Sequence, residues 1–318
     1  MSKSTKSGRI VVIGAGNVGA TIAYTILMHN LTSEIVLIDV NADKAAGEAL
    51  DMSHGLAYFK QVTIRSGNYS DCKDADVIIV TAGIARRPGQ TRLELAKINI
   101  SIGREIAKNI MKYAVDPIIL VVSNPVDIMT YIIQKETGLS PSRVFGSGTT
   151  LDTSRFRYLL SDHCKIDVRN VHAYIIGEHG DSEVPVWSRA NIAGKPFGDF
   201  CEDCDRKCQD VNKNLIFEQT KNGGAETIRL KGATFYGIAM TVAKIVSCIV
   251  NDEHAVLTVS TVLEGQYGIS GVALSLPCVI YSQGVERYIN IGINEQEQAL
   301  LVESAETLKE SIKEVLEA

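Results

Sequence analysis

Three glycines at fixed spacing constrain this chain more than any other feature of its sequence. Gly14, Gly16 and Gly19 follow the apolar run Arg9–Ile13 and open the helical pattern Asn17–His29. In a strand–turn–helix unit, the first glycine permits a tight turn, the second lets the backbone approach a bound group, and the third lets helix and strand pack closely. Because the N-terminus of a helix presents unpaired N–H groups, the motif predicts a phosphate-binding turn.

Strand and helix patterns continue to alternate through the first half of the chain. Apolar runs lie at Arg9–Ile13, Glu34–Asp39, Asp76–Thr81, Pro117–Ser123 and Arg143–Phe145, and helical patterns at Asn17–His29, Ala42–Gly55, Thr91–Tyr113 and Val126–Thr137. Runs that are apolar almost throughout are typical of strands buried on both faces of a parallel sheet. The pattern predicts an α/β fold with a doubly wound parallel (Rossmann) sheet, as a dinucleotide-binding domain over residues 1–146.

The second half, residues 147–318, predicts a mixed α+β substrate domain. Helices are predicted at Leu151–Asp162, Asp203–Lys221, Thr227–Val250 and Glu295–Leu316, and strands at Asn170–Ile176, Pro185–Arg189, Ala255–Leu263, Ala273–Ser282 and Val285–Ile289. Asn294 and Glu297 are predicted to form the capping box of the last helix, whose apolar face comprises Leu301, Leu308, Ile312 and Val315.

Composition excludes several classes of protein. The 318 residues are 45% hydrophobic with a net charge of −5, which excludes intrinsic disorder and disfavours general binding to nucleic acid or anionic membranes. No apolar stretch approaches the ~20 residues of a membrane-spanning helix, and the polar Met1–Arg9 lacks the apolar core of a secretory signal.

Seven cysteines, an odd number, predict reduced thiols and a cytoplasmic location. Cys201, Cys204 and Cys208 lie among charged residues, which favours a solvated helix over a metal–thiolate site, so no metal is expected.

Polar residues follow the predicted strands where a bound nucleotide would lie. Asp39 ends the second strand 20 residues after Gly19, where a carboxylate accepts the ribose hydroxyls of NAD and repels a 2′-phosphate. The next strand ends in Thr81-Ala82-Gly83, and the segment after it carries Arg86, Arg87 and Arg92, which predicts a basic lid over an anionic substrate. Asn124-Pro125 follows another strand and predicts a tight turn of the kind that a cis-proline forms.

The second half adds residues suited to proton transfer. His179 lies between Gly177 and Gly180 in a predicted loop, where a ligand can reach it, and the pKa of an imidazole suits proton transfer near neutral pH. Asp152 and Arg155 share one helix face by their i, i+3 spacing. Taken singly, His179 could equally be a loop residue without a catalytic role, and Asp152 with Arg155 a surface ion pair.

Together these motifs resemble the NAD-dependent L-lactate and malate dehydrogenases over essentially the full length of the chain. The matching segments are Gly14–Gly19, Asp39, Arg92-Leu93, Asn124-Pro125, Leu151–Arg157, Gly177–Asp181 and Lys231–Thr234. The resemblance implies that His179 shuttles a proton, that Asp152 pairs with it, and that Arg155 binds the substrate carboxylate.

Further roles follow from the same resemblance. Arg92 would polarise the reacting carbonyl, with Asn124 and Thr234 also at the substrate. NAD would be bound by Gly14, Gly16, Asn17, Val18, Gly19, Asp39, Thr81, Ala82, Gly83, Asn99, Ser123, Asn124 and Ile238. Arg157 and His172 match the position of a sugar-bisphosphate effector in allosteric bacterial lactate dehydrogenases, with an inactive inherited site or an interface contact as the alternative. A homo-oligomer is expected, a tetramer before a dimer.

The sequence contains conflicting signals about which 2-oxo acid the protein prefers. Gly177–Glu183 and Gly232–Tyr236 are of lactate type, but Arg86 stands in the lid where lactate enzymes have Gln and malate enzymes have Arg. A buried Arg86 beside the methyl of pyruvate would leave an uncompensated charge, at a cost of about 3–5 kcal/mol, whereas oxaloacetate supplies a second carboxylate. The sequence therefore favours malate dehydrogenase, with L-lactate dehydrogenase as the alternative. A non-enzymatic NAD-sensing module is the other class of function, and NADH oxidation with a 2-oxo acid would distinguish it.

Overall fold

The computed structural model describes residues 8–84, 92–202 and 212–317. In the first half the strands are β1 Arg9–Ile13, β2 Glu34–Ile38, β3 Thr63–Ser66, β4 Val77–Val80, β5 Ile119–Val121 and β6 Val144–Gly146. The helices between them are α1 Asn17–Met28, α2 Ala42–His54, α3 Arg92–Met111 and α4 Val126–Thr137.

The second half has longer helices and an antiparallel strand group. Its helices are α5 Thr150–Cys164, α6 Phe197–Glu202, α7 Lys213–Lys231, α8 Tyr236–Asn251 and α9 Glu295–Glu317. Its strands are β7 Val171–His172, β8 Ile175–Ile176, β9 Val184–Pro185, β10 Asn191–Ile192, β11 Lys195–Pro196, β12 Ala255–Glu264, β13 Ser270–Tyr281 and β14 Gly284–Tyr288.

The order of the strands in the main sheet determines where the nucleotide crevice lies. The main sheet runs β14-β13-β12-β6-β5-β4-β1-β2-β3, and β1 pairs in parallel with both β2 and β4. The order therefore reverses at β1, and ligands of such sheets bind at the carboxyl ends of the strands beside that reversal. This arrangement confirms the predicted doubly wound fold followed by a mixed α/β region.

One sheet joins the two halves of the chain. β12 lies antiparallel to β6, with Ser260 opposite Gly146, and β13 and β14 extend the sheet beyond it. A Cβ on Gly146 would come within 2.4 Å of Thr130 Oγ1 and 3.2 Å of Ser260 Cβ, so this glycine allows the close approach of the two halves. The division into domains at residues 146 and 147 stays a prediction.

The apolar runs are buried as their composition requires. Every residue of β4 and residues 10–12 of β1 have no exposed surface. A second core, formed by α5, α6 and the short strands, contains Phe156, Leu160 and Phe197, with Trp187 packed on Phe156 at 4.8 Å between ring centroids. Among the residues of these three ranges, no helix is both long and apolar enough to cross a membrane.

Several predicted boundaries are wrong. The predicted helices Asp203–Lys221 and Thr227–Val250 are separated by a segment with a glycine pair, but α7 runs through that pair and ends at Lys231, before Gly232, whose φ of +87° is left-handed. Residues 203–211 lie outside the described ranges. The predicted strand Asn170–Ile176 is two short strands, β7 and β8, and in Pro185–Arg189 only Pro185 is in a strand. Strand β3 was not predicted; it is a short edge strand with only Ile64 fully buried.

The last helix follows its sequence pattern. Asn294 and Glu297 each accept a hydrogen bond from the other's backbone N–H, at 2.8 and 3.1 Å, which confirms the capping box. The predicted apolar face is also confirmed, because its four residues Leu301, Leu308, Ile312 and Val315 are all buried.

Candidate active site

The glycine turn between β1 and α1 is built for close backbone approach. Gly14 has a φ of +105°, and a Cβ there would lie 2.7 Å from the backbone N of Ala82. A Cβ on Gly19 would lie 1.8 Å from the carbonyl O of Gly14, whereas no atom of the described residues lies within 4 Å of the Cβ position on exposed Gly16. The N-cap residue, Gly16, has no side chain to cap α1, so in the described part of the chain the first N–H groups of the helix are available to an anion. These features fit the pyrophosphate of a dinucleotide.

Asp39 also holds the glycine turn in place. Its Oδ2 accepts a hydrogen bond from the backbone N–H of Ala15 at 2.6 Å, and its Oδ1 accepts one from Asn41 at 2.9 Å. The carboxylate therefore fixes the turn next to α1 while it lies at the end of β2, where a ribose is expected. The sequence predicted the ribose contact and not the contact with the turn.

Side-chain hydroxyls join the ends of the central strands. Thr81 Oγ1 donates to the carbonyl O of Gly14 at 2.9 Å, and Ser123 Oγ donates to the carbonyl O of Ala82 at 2.6 Å. These bonds connect the carboxyl ends of β1, β4 and β5 into one floor. Because both hydroxyls are hydrogen-bonded to the protein's own backbone, the crevice is lined here by main-chain atoms.

Asn99 on α3 joins two segments at the same edge. Its Oδ1 accepts from the backbone N–H of Ile84 at 2.9 Å, and its Nδ2 donates to the carbonyl O of Asn124 at 2.8 Å. The Asn124-Pro125 peptide bond is cis, as the turn predicted, and the Asn124 side chain is exposed at the crevice edge. Asn99 therefore fixes the backbone of Asn124 and of the segment that leaves Gly83.

His179, Asp152 and Arg155 form one hydrogen-bonded cluster. His179 Nδ1 lies 2.5 Å from Asp152 Oδ2, and Arg155 donates from a terminal N–H to Asp152 Oδ1 at 2.6 Å. Asp152 is 2% exposed, whereas the side chains of His179 and Arg155 are 28% and 20% exposed. The carboxylate is thus buried between two side chains that a small ligand can still reach.

The charges of this cluster set the protonation of the imidazole. Burial disfavours the charged ring, but the charge and hydrogen bond of Asp152 outweigh it and raise the pKa of His179 to about 9. For Asp152, burial favours the neutral acid, but His179 and Arg155 outweigh it and lower the pKa of the carboxyl. At neutral pH the pair is therefore an imidazolium facing a carboxylate, a state suited to giving a proton to a bound ligand.

The loop that carries His179 is fixed by three separate elements. The backbone N–H groups of residues 177–179 donate in turn to Ser275 O in β13 at 2.9 Å, Ser304 Oγ in α9 at 2.9 Å and Asp127 Oδ2 in α4 at 2.7 Å. Three successive amides with three partners leave the loop little freedom. The imidazole is therefore held in place before any ligand binds.

Two acidic residues of this region were missed by sequence reasoning. Asp127 is 2% exposed; its Oδ1 accepts from Ser260 Oγ at 2.6 Å, and burial raises the pKa of its carboxyl to about 6. Glu183 is 6% exposed, and its Oε1 is buried with no hydrogen-bond partner among the described residues. Burial, followed by the charge of Asp152, raises its pKa to about 8. An acid in the first turn of a helix usually indicates favourable contact with the helix dipole, so no sequence signal marked Asp127 as buried.

Of the other predicted site residues, the structure describes some fully, one without its side chain and some not at all. Thr234 and Ile238 are half-buried at the junction of α7 and α8. Arg86 and Arg87 lie outside the described residues; α3 begins at Arg92, whose side chain is not described. Of the cysteine cluster, Cys201 is buried in α6 and the other two positions lie outside the described ranges. In the described part of the chain, no group of acidic, histidine and cysteine side chains could hold a metal ion.

The predicted effector residues line one cavity. Arg157 and His172 contribute to a cavity of about 460 Å³. Arg157 donates through Nε to Val171 O at 2.7 Å and through a terminal N–H to Val168 O at 3.2 Å, so part of its guanidinium binds the protein's own backbone. Binding of an effector there stays a prediction.

Comparison with known proteins identifies the family. Residues 8–146 match the family model of the lactate/malate dehydrogenase NAD-binding domain, and residues 149–318 match that of the α/β C-terminal domain. The L-lactate dehydrogenase of Acetivibrio thermocellus is 50% identical over 305 residues, 96% of either chain, and L-lactate dehydrogenase 1 of Clostridium acetobutylicum is 50% identical over 315 residues, 99% of this chain and 100% of the relative. The minor L-lactate dehydrogenase of Enterococcus mundtii superimposes with a TM-score of 0.92 at 43% identity over 98% of each chain.

These relatives show that the prediction of malate as the preferred substrate is wrong. The relatives that share half of their residues with this chain over its full length are named L-lactate dehydrogenases, and the structural neighbours are named lactate or L-lactate dehydrogenases. The prediction assigned a buried-charge cost to Arg86, which lies outside the described residues, so the structure supplies no contact on which that cost could rest. The glycine turn and Asp39 fit the NAD that the matching domain binds. The chain is a member of the lactate/malate dehydrogenase family, with NAD as its cofactor.

Proposed function

We propose that this chain is an L-lactate dehydrogenase that interconverts L-lactate and pyruvate. The main support for this proposal is the hydrogen-bonded cluster of His179, Asp152 and Arg155. In it, a proton donor, His179, and a cation able to bind a carboxylate, Arg155, both contact the buried Asp152. The names of the full-length relatives support lactate as the 2-hydroxy acid.

His179 performs the proton transfer. With its pKa raised to about 9, the imidazole holds a proton at neutral pH and gives it to the carbonyl oxygen of pyruvate. NAD, when bound, carries the hydride that is added to or removed from the carbon bearing that oxygen. In the reverse direction neutral His179 takes the hydroxyl proton of lactate, and Asp152 stabilises the imidazolium that results.

Arg155 binds the substrate carboxylate. One of its N–H groups is directed to Asp152, and the planar guanidinium has further donors for a bidentate pair. Because Asp152 contacts both side chains, the carboxylate and the carbonyl of one 2-oxo acid are held at a fixed separation. The proposed roles of Arg92 at the carbonyl and of Asn124 and Thr234 at the substrate follow the family resemblance.

Steady-state kinetics with pyruvate and oxaloacetate side by side tests the proposal. With NADH, kcat/KM is expected to be higher for pyruvate, and Asp152→Asn is expected to lower it by orders of magnitude, because the imidazolium loses its counter-charge. Lys44→Gln, on exposed α2, is a control that should leave both substrates unchanged. A preference for oxaloacetate, or no turnover with either acid, would refute the proposal.

Assembly and location are part of the same proposal. We infer a homo-tetramer from the exposed apolar side chains on and next to α7 and α8, among them Leu230, Tyr236 and Met240 at 68%, 66% and 65% exposure. Light scattering at micromolar concentration tests this, and a monomeric mass would contradict it. A cytoplasmic location rests on the cysteine content of the sequence.

A further inference from the structure

Asp127 connects the two halves of the chain next to the candidate active site. It lies in the first turn of α4, in the first half, three positions after Asn124. Its Oδ2 accepts from the backbone N–H of His179 at 2.7 Å, and its Oδ1 accepts from Ser260 Oγ at 2.6 Å. Both partners belong to the second half, 52 and 133 positions further along the chain. One side chain therefore joins α4 to the loop that carries His179 and to β12.

The other two anchors of this loop lie within the second half. The N–H of Gly177 donates to Ser275 O in β13, and the N–H of Glu178 donates to Ser304 Oγ in α9. These two bonds fix the loop relative to its own half. Of the three described amides, that of His179 is the one hydrogen-bonded to the first half.

The connection through Asp127 is buried. Asp127 is 2% exposed and Ser260 has no exposed surface, so water does not compete for either bond. Ser260 lies opposite Gly146 where β12 meets β6, and a Cβ on Gly146 would lie 3.2 Å from Ser260 Cβ. Asp127 therefore acts where the two halves approach each other closely, and its loss would free His179 to move relative to the first half.

The proposed reaction depends on this relative position. The carbonyl carbon receives a hydride from the side of the glycine turn, in the first half, and the carbonyl oxygen receives a proton from His179, in the second half. Both transfers need their atoms at about 3–3.5 Å, and an error of about 1 Å can cost roughly 100-fold in rate.

We propose that Asp127 is a positioning residue for the reaction, which holds the amide of His179 from α4 and so sets the place of the proton donor relative to the first half. This inference rests on the proposed function, since it assumes that His179 gives its proton to a substrate. The competing explanation is that Asp127 acts by its charge, because a nearby carboxylate favours the imidazolium. Asn keeps both contacts without the charge, so positioning predicts activity in Asp127→Asn, whereas the charge explanation predicts the same loss in Asn and Ala variants.

Steady-state kinetics with pyruvate and NADH tests the proposal. Asp127→Ala is expected to lower kcat by roughly 100-fold, with KM for NADH within a few-fold, whereas Asp127→Asn should keep kcat within about fivefold of the natural protein. Thr130→Val is the matched control, expected to leave both constants unchanged. Thr130 lies one turn further along α4, has no exposed surface, and its Oγ1 has no hydrogen-bond partner among the described residues.

Hydrogen exchange in the protein without NADH measures the same connection independently of turnover. The amides of residues 177–183 should exchange about tenfold faster in Asp127→Ala and at nearly the natural rate in Asp127→Asn, because only the alanine leaves the His179 N–H unpaired. NADH binding by fluorescence verifies that each variant is folded. If Asp127→Ala does not fold, Asp127→Ser replaces it, because its hydroxyl is about one bond too short to hold the amide.

The outcomes separate the explanations. Equal losses of kcat in Asp127→Asn and Asp127→Ala would overturn the inference in favour of charge. Full activity in Asp127→Ala, or unchanged exchange of the loop amides, would overturn it as well. No turnover of any 2-oxo acid by the natural protein would refute the proposed function itself.

Discussion

Replacing Asp127 by Asn separates the charge of this buried acid from its geometry. Its two oxygens accept from the backbone N–H of His179 at 2.7 Å and from Ser260 Oγ at 2.6 Å, and the residue is 2% exposed. An Asn can keep both contacts, because its oxygen accepts from His179 and its NH₂ group donates to the Ser260 hydroxyl. Asp127→Asn therefore removes a buried charge while the loop keeps its anchor.

The expected effect follows from the shift in pKa. Burial raises the pKa of Asp127 from 3.8 to about 6, and each unit is worth about 1.4 kcal/mol, so the ionised form is less favourable in the folded protein by about 3 kcal/mol. Because the pKa of Asp127 is higher in the folded protein than in the unfolded chain, the neutral acid stabilises the fold fully at a pH below the unfolded pKa. This stabilisation is lost as the pH rises through the folded pKa of about 6. Between pH 4 and pH 7 the natural protein should lose about 2 of these 3 kcal/mol through this group, because the unfolded carboxyl is already partly ionised at pH 4, and Asp127→Asn should lose none.

Urea unfolding followed by fluorescence measures this difference. Trp187 is the single tryptophan and packs in the second core against Phe156, so its emission reports unfolding. The free energy of unfolding of Asp127→Asn minus that of the natural protein should rise by about 2 kcal/mol from pH 4.5 to 7.5. Asp127→Ala, which also removes the carboxyl but leaves the His179 N–H unpaired, is the control and should be less stable than Asp127→Asn by roughly 1–3 kcal/mol at either pH. A difference between the Asn variant and the natural protein that does not vary with pH would refute the reasoning.

Three other predictions follow from the site. His179→Asn should abolish turnover while NADH still binds with an affinity within a few-fold, because the dinucleotide residues lie mainly in the first half; retained kcat would remove His179 from the mechanism. NADH should be used far better than NADPH, because Asp39 would face the added phosphate with like charge, and equal kcat/KM would contradict that role. Burial and the charge of Asp152 raise the pKa of Glu183 from 4.5 to about 8, so the stability contributed by its neutral form is lost as the pH rises from about 4.5 to about 8. Glu183→Gln should therefore gain stability relative to the natural protein over that range in urea titrations, and no gain would count against a buried neutral acid.

Local patterns in the sequence were sufficient to predict the fold class and the glycine turn, whereas the roles of the catalytic residues came from the family resemblance. Apolar runs separated by helical patterns predicted the parallel sheet, because a strand buried on both faces needs apolar residues at every position. The glycine spacing predicted the phosphate turn for an equally local reason, since turn, close approach and packing are each met within six consecutive residues. Substrate choice was not decided in this way: one arginine in the lid was given more weight than the full-length similarity to lactate enzymes, and that weighting was wrong.

Only the tertiary structure decided how the catalytic loop is held. The amides of residues 177–179 find their partners in β13, α9 and α4, and Ser275, Ser304 and Asp127 lie 52 to 126 positions away from them in the sequence. Nothing in the local pattern of those residues distinguishes a buried anchor from a surface polar side chain. The same holds for Gly223 and Gly224, which interrupt a helix pattern in the sequence but pack against Arg155 in the folded chain. Side chains acquire such roles only when burial removes water as their alternative partner, and burial is a property of the assembled fold.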